Sequence, residues 1–264
     1  MKLLQSRDNP FFKELVKLTG SARQRDRDQR TLLDGAHLLA AYLDSGKLPL
    51  HILRNAEVLN DDEVAALLGR AAGVPVTQLD DRLFSDLSEL KTPTGVLALI
   101  DIAHPAATAA QSRFALLLEE IQDPGNLGSM LRSAAAAGCD SVFLSAGCAD
   151  VWSPKVLRAA MGGHFVLDVH EDQNLPGVAR AFPGALLAAS LQAGRSLYDC
   201  DLRGDAAFLI GNEGAGLSDA LLACATETIA IPMPGRVESL NAAAATAVCL
   251  FEAVRQRAPT LTRA

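Results

Sequence analysis

The sequence predicts an α/β protein of two layered units, and three observations lead there. Apolar runs of strand length alternate along the chain with segments of helical periodicity. In the second half these runs are predominantly apolar, as strands covered on both faces of a parallel sheet require. Between the halves, DIAHPAATAAQS (residues 101–112) is small, polar and proline-containing with neither pattern, which marks a linker. The expected units are residues 1–105 and 106–264.

In the first unit, Thr31–Leu33, Leu50–Arg54, Val74–Gln78 and Val96–Ile100 read as strands, with helices over Phe11–Leu18, Ala36–Asp44, Asp61–Ala72 and Asp80–Leu90. The second unit restarts at strand Phe114–Leu118. It continues with Val142–Leu144, Val166–Val169, Ala185–Ala189, Ala207–Ile210 and Thr228–Ile231, and ends on an Ala-rich helix over Leu240–Gln256 opened by Ser239.

With 264 residues and 49% hydrophobic content, the chain has material for two buried cores. No run of about 18 uncharged apolar residues occurs, and the first fifteen residues place charges where a signal peptide needs an apolar stretch. A cytoplasmic protein without a membrane segment is expected. Cys139, Cys148, Cys200, Cys224 and Cys249 form no C-x-x-C pair and have no His-rich partner segment, so neither disulfides nor a metal site is expected.

A net charge of −7 argues against coating nucleic acid by bulk charge. Residues 1–30 nevertheless hold eight Lys/Arg against four acids, a local surplus. Lys13, Lys17, Arg23, Arg25, Arg27 and Arg30 are therefore candidate phosphate contacts, with a solvated, Arg/Asp-paired helix face as the plainer alternative.

Ligands of open parallel sheets bind at the carboxyl ends of strands, and three strand-to-helix loops there carry unusual chemistry. In EEIQDPGNLGSMLRSAAAAG (residues 119–138), Asp123, Pro124 and Gly125 are turn residues and Asn126 a suitable N-cap. Arg132 stands in a helix of mainly Ala, Leu, Met and Ser, where a guanidinium can bind phosphate or steer a ribose hydroxyl. In LIGNEGAGLSDALL (residues 209–222), Gly211, Gly214 and Gly216 let backbone approach a ligand, and Glu213 between them needs a partner. No G-K-[ST] or G-x-G-x-x-G pattern is present there, so neither a triphosphate nor a dinucleotide is indicated. In IAIPMPGRVESLNAAAATAV (residues 229–248), two prolines remove donors and free carbonyls for a ligand, and Asn241 is a mediocre helix former before a run of alanines.

At these loops the chain closely resembles the SpoU/TrmH family of SPOUT methyltransferases. Asn126, Gly128 and Arg132 fit its N-x-G-x-x-x-R element, and Gly211, Asn212, Glu213, Gly214 and Gly216 its G-[NS]-E-G-x-G element. Ile231, Pro232, Met233, Gly235, Ser239, Leu240 and Asn241 fit I-P-M-x-G-x-x-x-S-L-N. SPKVLRAAMGGHF (residues 153–165) is similar to the ribosomal-RNA branch, with Ala160 where that branch commonly has Ser. Residues 6–39 resemble its small substrate-binding domain, with Asp34-Gly35 for the commoner Glu-Gly.

The resemblance implies a C-terminal SPOUT parallel-sheet domain tied into a deep trefoil knot, a small N-terminal α/β RNA-binding domain similar to a ribosomal protein, and a homodimer. It implies an S-adenosylmethionine-dependent 2′-O-methyltransferase acting on RNA, ribosomal before transfer RNA. Carried over as cofactor-binding are Ala189, Ser190, Gly211, Asn212, Glu213, Gly214, Ile231, Met233 and Leu240. Arg132 falls nearest the reacting hydroxyl, Asn126 orients the nucleotide, Glu213 holds the loop or Arg132, and Ser239 with Asn241 fixes the third loop. A transfer-RNA enzyme, base methylation and a knotted module that binds RNA without methylating it are the competing readings.

Overall fold

The computed structural model describes residues 2–55, 62–90 and 92–258 of the chain. Its contacts divide it into two units: residues 1–103 joined by Trp152–Phe165, and His104–Val151 joined by Val166–Ala264.

The first unit is built on strands β1 (Lys2–Leu4), β2 (Arg30–Asp34), β3 (His51–Arg54), β4 (Val76–Leu79) and β5 (Val96–Asp101), in the order β1-β4-β3-β5-β2. Around them lie α1 (Pro10–Gly20), α2 (Ala22–Asp28), α3 (Ala36–Asp44), α4 (Asp62–Arg70) and α5 (Asp81–Leu87). The first residue of the expected fourth helix, Asp61, lies outside the described residues. Helix α1 starts where Asn9 accepts from the Phe11 amide and Pro10 supplies a preset φ. It buries Phe12, Leu15 and Leu18, spaced by three, against Leu4, Leu32, Leu53 and Leu97.

Two elements here escape periodicity. Three-residue β1 is too short to show alternation. Helix α2 has no apolar stripe, because the residue it turns inward is Arg25, only 5% exposed, whose guanidinium donates to the carbonyls of Leu18 and Thr19 at the end of α1. Arg25 thus caps a helix C-terminus, where a cation is favoured, and is removed from the candidate phosphate contacts.

The segment Trp152–Phe165, carrying helix α7 (Pro154–Ala160), belongs to this unit although it is distant in sequence. Thr31 Oγ1 donates to the Trp152 carbonyl at 2.9 Å, and Arg158 pairs with Glu89 at 2.6 Å. A Cβ on Gly162, at φ +91°, would fall 2.6 Å from that of Ala41, so the contact demands glycine. Asp34 accepts from Ser88 Oγ and the Glu89 amide, and burial pushes its carboxyl above the ordinary range.

The described residues of the second unit hold seven parallel strands: β6 (Phe114–Leu118), β7 (Ser141–Leu144), β8 (Asp168–His170), β9 (Ala185–Ala189), β10 (Arg195–Ser196), β11 (Ala206–Ile210) and β12 (Glu227–Ala230). The order is β10-β12-β9-β11-β6-β7-β8. Strands β6 and β11 pair from Phe114 with Ala206 to Leu118 with Ile210, and both are fully buried. The strand expected at Val166–Val169 begins instead at Asp168, since Val166 is 68% exposed and cannot belong to a covered strand. Helix α6 (Pro124–Ala137) packs on α10 (Ala242–Arg257), and the short helices α8 (Leu175–Ala181) and α9 (Asp219–Leu222) pack on each other. No disulfide forms among the five cysteines. No helix among the described residues is long and apolar enough to cross a membrane.

Candidate active site

Strands β12, β9, β11 and β6 are consecutive neighbours and run parallel, so the loops that follow them leave one edge of the sheet together. The three motif loops are three of these four. Ser190, after β9, opens the fourth, its amide donating to the Ile229 carbonyl at 2.9 Å.

The first loop leaves β6 through Glu119 and Glu120. Asp123, not Asn126, caps α6: its Oδ1 accepts from the Asn126 amide at 2.8 Å, and Pro124 occupies the first turn. With Asp123 as the cap, the Asn126 side chain is left to other partners. Its Nδ2 donates to Glu213 Oε1 at 2.5 Å, and its Oδ1 accepts from Asn241 Nδ2 at 2.9 Å. Asn241 in turn caps α10, accepting from the amides of Ala243 and Ala244 at 2.9 and 3.2 Å.

These bonds fix one another's polarity. Because Asn241 spends its oxygen on the helix amides, only its NH₂ can face Asn126; Asn126 must then turn its oxygen to Asn241 and its NH₂ to Glu213. A carboxylate oxygen ends the series, as an acceptor should. Glu213, Asn126 and Asn241 therefore join all three loops, and Glu213 is held by Asn126 rather than by Arg132. The final helix starts at Ala242 behind Asn241, not at Ser239, which is exposed and makes no side-chain hydrogen bond among the described residues.

The glycine loop is a tight structure. Asn212 and Gly216 exchange backbone hydrogen bonds at 3.1 and 2.9 Å, and Asn212 Oδ1 accepts from the amides of Gly214 and Ala215. Gly216 takes φ +73°. A Cβ on Gly211 would lie 2.3 Å from the Gly216 carbonyl carbon and oxygen, so glycine is demanded there by the loop's own backbone. Asn212 Nδ2 reaches the Glu120 carbonyl at 3.0 Å, and the Glu119 carboxylate accepts from both the amide and the hydroxyl of Ser218, each at 2.7 Å. Nothing in the sequence signals this last link, which spans 99 positions.

In the third loop, the backbone of residues 232–240 forms no hydrogen bond among the described residues, and Pro232 and Pro234 have no donor to offer. Beside these free groups Ile231 and Met233 are half-buried and Leu240 is 39% exposed. Unspent backbone acceptors and donors among apolar side chains are a donor set that fits an adenosine moiety.

Arg132 is exposed on α6 and forms no ion pair or side-chain hydrogen bond among the described residues. Elsewhere in this unit Arg113, Arg195, Arg203 and Arg255 are each paired with a carboxylate. An uncommitted guanidinium in a loop-and-helix site is available to an anion.

The acidity of the chain lies wholly in this second unit, with nine Lys/Arg against sixteen Asp/Glu, whereas the first has fifteen of each. Of the cations proposed there for phosphate, Lys13 pairs with Asp8, Arg27 with Asp28, and Arg30 lies 3.6 Å from both Glu14 and Asp101. Lys17 and Arg23 are exposed and have no carboxylate partner among the described residues.

Comparison with known proteins agrees with this architecture. Residues 113–251 match the SpoU rRNA Methylase family, and residues 9–98 match the MRM3-like substrate binding domain. The chain is 33% identical to the 23S rRNA (guanosine(2553)-2′-O)-methyltransferase RlmP of Bacillus subtilis, covering 95% of this chain and 98% of that protein. It is 30% identical to human mitochondrial rRNA methyltransferase 3, over 90% of this chain and 71% of that one. Among solved structures, an RNA 2′-O ribose methyltransferase superposes with a TM-score of 0.82 at 30% identity, covering 97% of this chain and 99% of that chain. An AdoMet-bound rRNA methyltransferase from Sinorhizobium meliloti gives 0.84 at 26% identity, covering 98% and 99%. With both halves matched and the three loops gathered at one sheet edge, the chain belongs to the SpoU rRNA methylase family.

Proposed function

We propose that the protein transfers a methyl group from S-adenosylmethionine to a ribose 2′-hydroxyl of ribosomal RNA. The observation that carries this reading is the bonded series Glu213–Asn126–Asn241, which ties together three loops at one edge of the parallel sheet and leaves Arg132 uncommitted among them.

S-adenosylmethionine supplies, when bound, a methyl group on a positively charged sulfur that an oxygen nucleophile can displace. Gly211, Asn212, Gly214, Ile231, Met233 and Leu240 would hold it, with Ala189 and Ser190 at the neighbouring strand end. The remaining task is to aim the hydroxyl, so positioning supplies most of the acceleration. Arg132 serves as an electrostatic partner for the charge that develops on the hydroxyl oxygen or for the adjacent phosphate, and the hydroxyl proton passes to bulk water as the O–CH₃ bond forms. Asn126, fixed by two partners, holds the neighbouring loops around the nucleotide, and Asn241 anchors the third loop to α10.

The first unit would grip RNA with Lys17 and Arg23 and, where their carboxylate partners yield to phosphate, Lys13, Arg27 and Arg30. A knotted homodimer in the cytoplasm completes the reading, and sedimentation at micromolar concentration tests the dimer.

The direct test is transfer of labelled methyl to total RNA, followed by nuclease digestion and nucleoside mass spectrometry. A 2′-O-methylnucleoside in ribosomal RNA, marked by an alkali-resistant linkage, is expected. Label confined to transfer RNA, label on a base, or binding without transfer each refutes the reading in favour of one of its competitors.

A further inference from the structure

We infer that Glu119 is a positioning residue that holds the cofactor loop closed; the inference rests on the function proposed above. Loop 211–218 is anchored to the end of β6 at three points. The Glu119 amide donates to the Ile210 carbonyl at 2.9 Å, just before the loop begins. The Glu120 carbonyl accepts from Asn212 Nδ2 at 3.0 Å near its start. At the far end, the Glu119 carboxylate takes the amide and hydroxyl of Ser218, one on each oxygen, at 2.7 Å. Of these, the carboxylate fork is the one made by a side chain at the end of β6 itself.

The fork is well matched. Two donors of one residue meet two oxygens of one carboxylate, in the short range of charge-assisted hydrogen bonds. The Ser218 hydroxyl keeps a lone pair for the Leu221 amide at 3.3 Å, so it caps the following short helix while it donates to Glu119. Between the anchors the chain must present Glu213 to Asn126 and hold Gly211 packed on Gly216. Removing the fork frees one end of that loop. Glu119 touches neither Glu213 nor Arg132 among the described contacts, so its action on the site passes through the loop.

The consequence is a selective loss of cofactor affinity. Calorimetric titration of the full-length protein with S-adenosylmethionine, paired with steady-state methyl transfer to ribosomal RNA and a thermal melt, reads it. Glu119→Ala should weaken cofactor binding and raise its KM at least tenfold, with kcat at saturating cofactor within about fivefold of wild type. Glu119→Gln should restore binding to within threefold, because its oxygen can take the Ser218 amide while its NH₂ donates to the hydroxyl oxygen. Ser218→Ala, which keeps the amide arm, should raise KM two- to fourfold, and it carries the test if Glu119→Ala does not fold. Wild-type affinity in both Glu119→Ala and Ser218→Ala overturns the inference, as does a kcat loss equal to the affinity loss. A Gln variant as weak as Ala overturns it too. If the wild-type protein itself takes no cofactor, the function proposed above fails instead.

Discussion

Asn241→Asp separates the two jobs of Asn241. As a helix cap the aspartate is at least as good as asparagine, because its carboxylate accepts from the Ala243 and Ala244 amides and its charge suits the N-terminus of α10. Stability should stay level or rise by a few tenths of a kcal/mol. The bond to Asn126 cannot survive, since Nδ2 is its donor. Asn126 then lies between two carboxylates with one amide oxygen to place. If it stays, its oxygen faces the new carboxylate at position 241; if it flips, its oxygen faces Glu213. Either way one bond of the series becomes a repulsion. Leaving a polar group opposed instead of paired costs about 1–3 kcal/mol, and the exposure of these loops keeps it below the upper end. If the lost bond is felt in the transition state, about 1.5–2 kcal/mol corresponds to a rate loss of roughly 10- to 30-fold. Single-turnover methyl transfer with saturating enzyme and cofactor measures the rate, and a thermal melt of the same preparation measures the fold. Wild-type single-turnover rates in Asn241→Asp would sink the claim that the series orders the site. So would a melting temperature that falls in step with the rate.

Arg132→Ala should lower kcat by about two orders of magnitude, the scale of removing one stabilising donor, with cofactor affinity unchanged in calorimetry; an equal fall in both places Arg132 in the cofactor pocket instead. Gly211→Ala forces a Cβ to 2.3 Å from the Gly216 carbonyl, so we expect a loss of about 1–3 kcal/mol in denaturant unfolding together with lost cofactor binding, and an unperturbed melt would contradict the loop geometry. Lys17→Ala and Arg23→Ala should each flatten the salt dependence of RNA binding by about 0.7–0.9 in log–log slope, whereas Arg25→Ala should leave the slope alone and lower stability by about 1–3 kcal/mol through the orphaned carbonyls of α1. Equal slopes for all three variants would show that exposure is no guide to phosphate contact here.

What could be read from the residues alone follows the range of the interactions. Strands such as Phe114–Leu118 and Ala185–Ala189 and the helix Ala36–Asp44 match their expected bounds, because burial on both faces or on one helical stripe is written in local hydrophobicity. Helix α2 was not legible, since its inward residue is a charged Arg25 satisfied by carbonyls six and seven residues away. The capping residues of α6 and α10 were misplaced by a few positions for a related reason: Asp123, Asn126, Ser239 and Asn241 are all competent caps, and only the tertiary partners of Asn126 decide which does the work. Glu213's need for a partner was visible, but its identity, 87 positions away, was not. The Glu119–Ser218 fork left no trace at all, because neither residue is unusual where it stands.

The segment Trp152–Phe165 has a further consequence for synthesis on the ribosome. The chain passes between the two units three times, at residues 103, 151 and 165, so the first unit has its last strand by Asp101 but not its last helix. Thr31 on the edge strand β2, the Asp34 carboxylate and the Glu89 side chain all wait for partners made some 60 to 125 residues later. Until residue 165 has emerged, β2 lacks the helix that packs on it and Thr31 lacks its carbonyl partner. The second unit meanwhile has only β6 and β7 in place. The first unit is complete only once residue 165 has been made and the second only when α10 has, so the first cannot finish as a contiguous N-terminal domain.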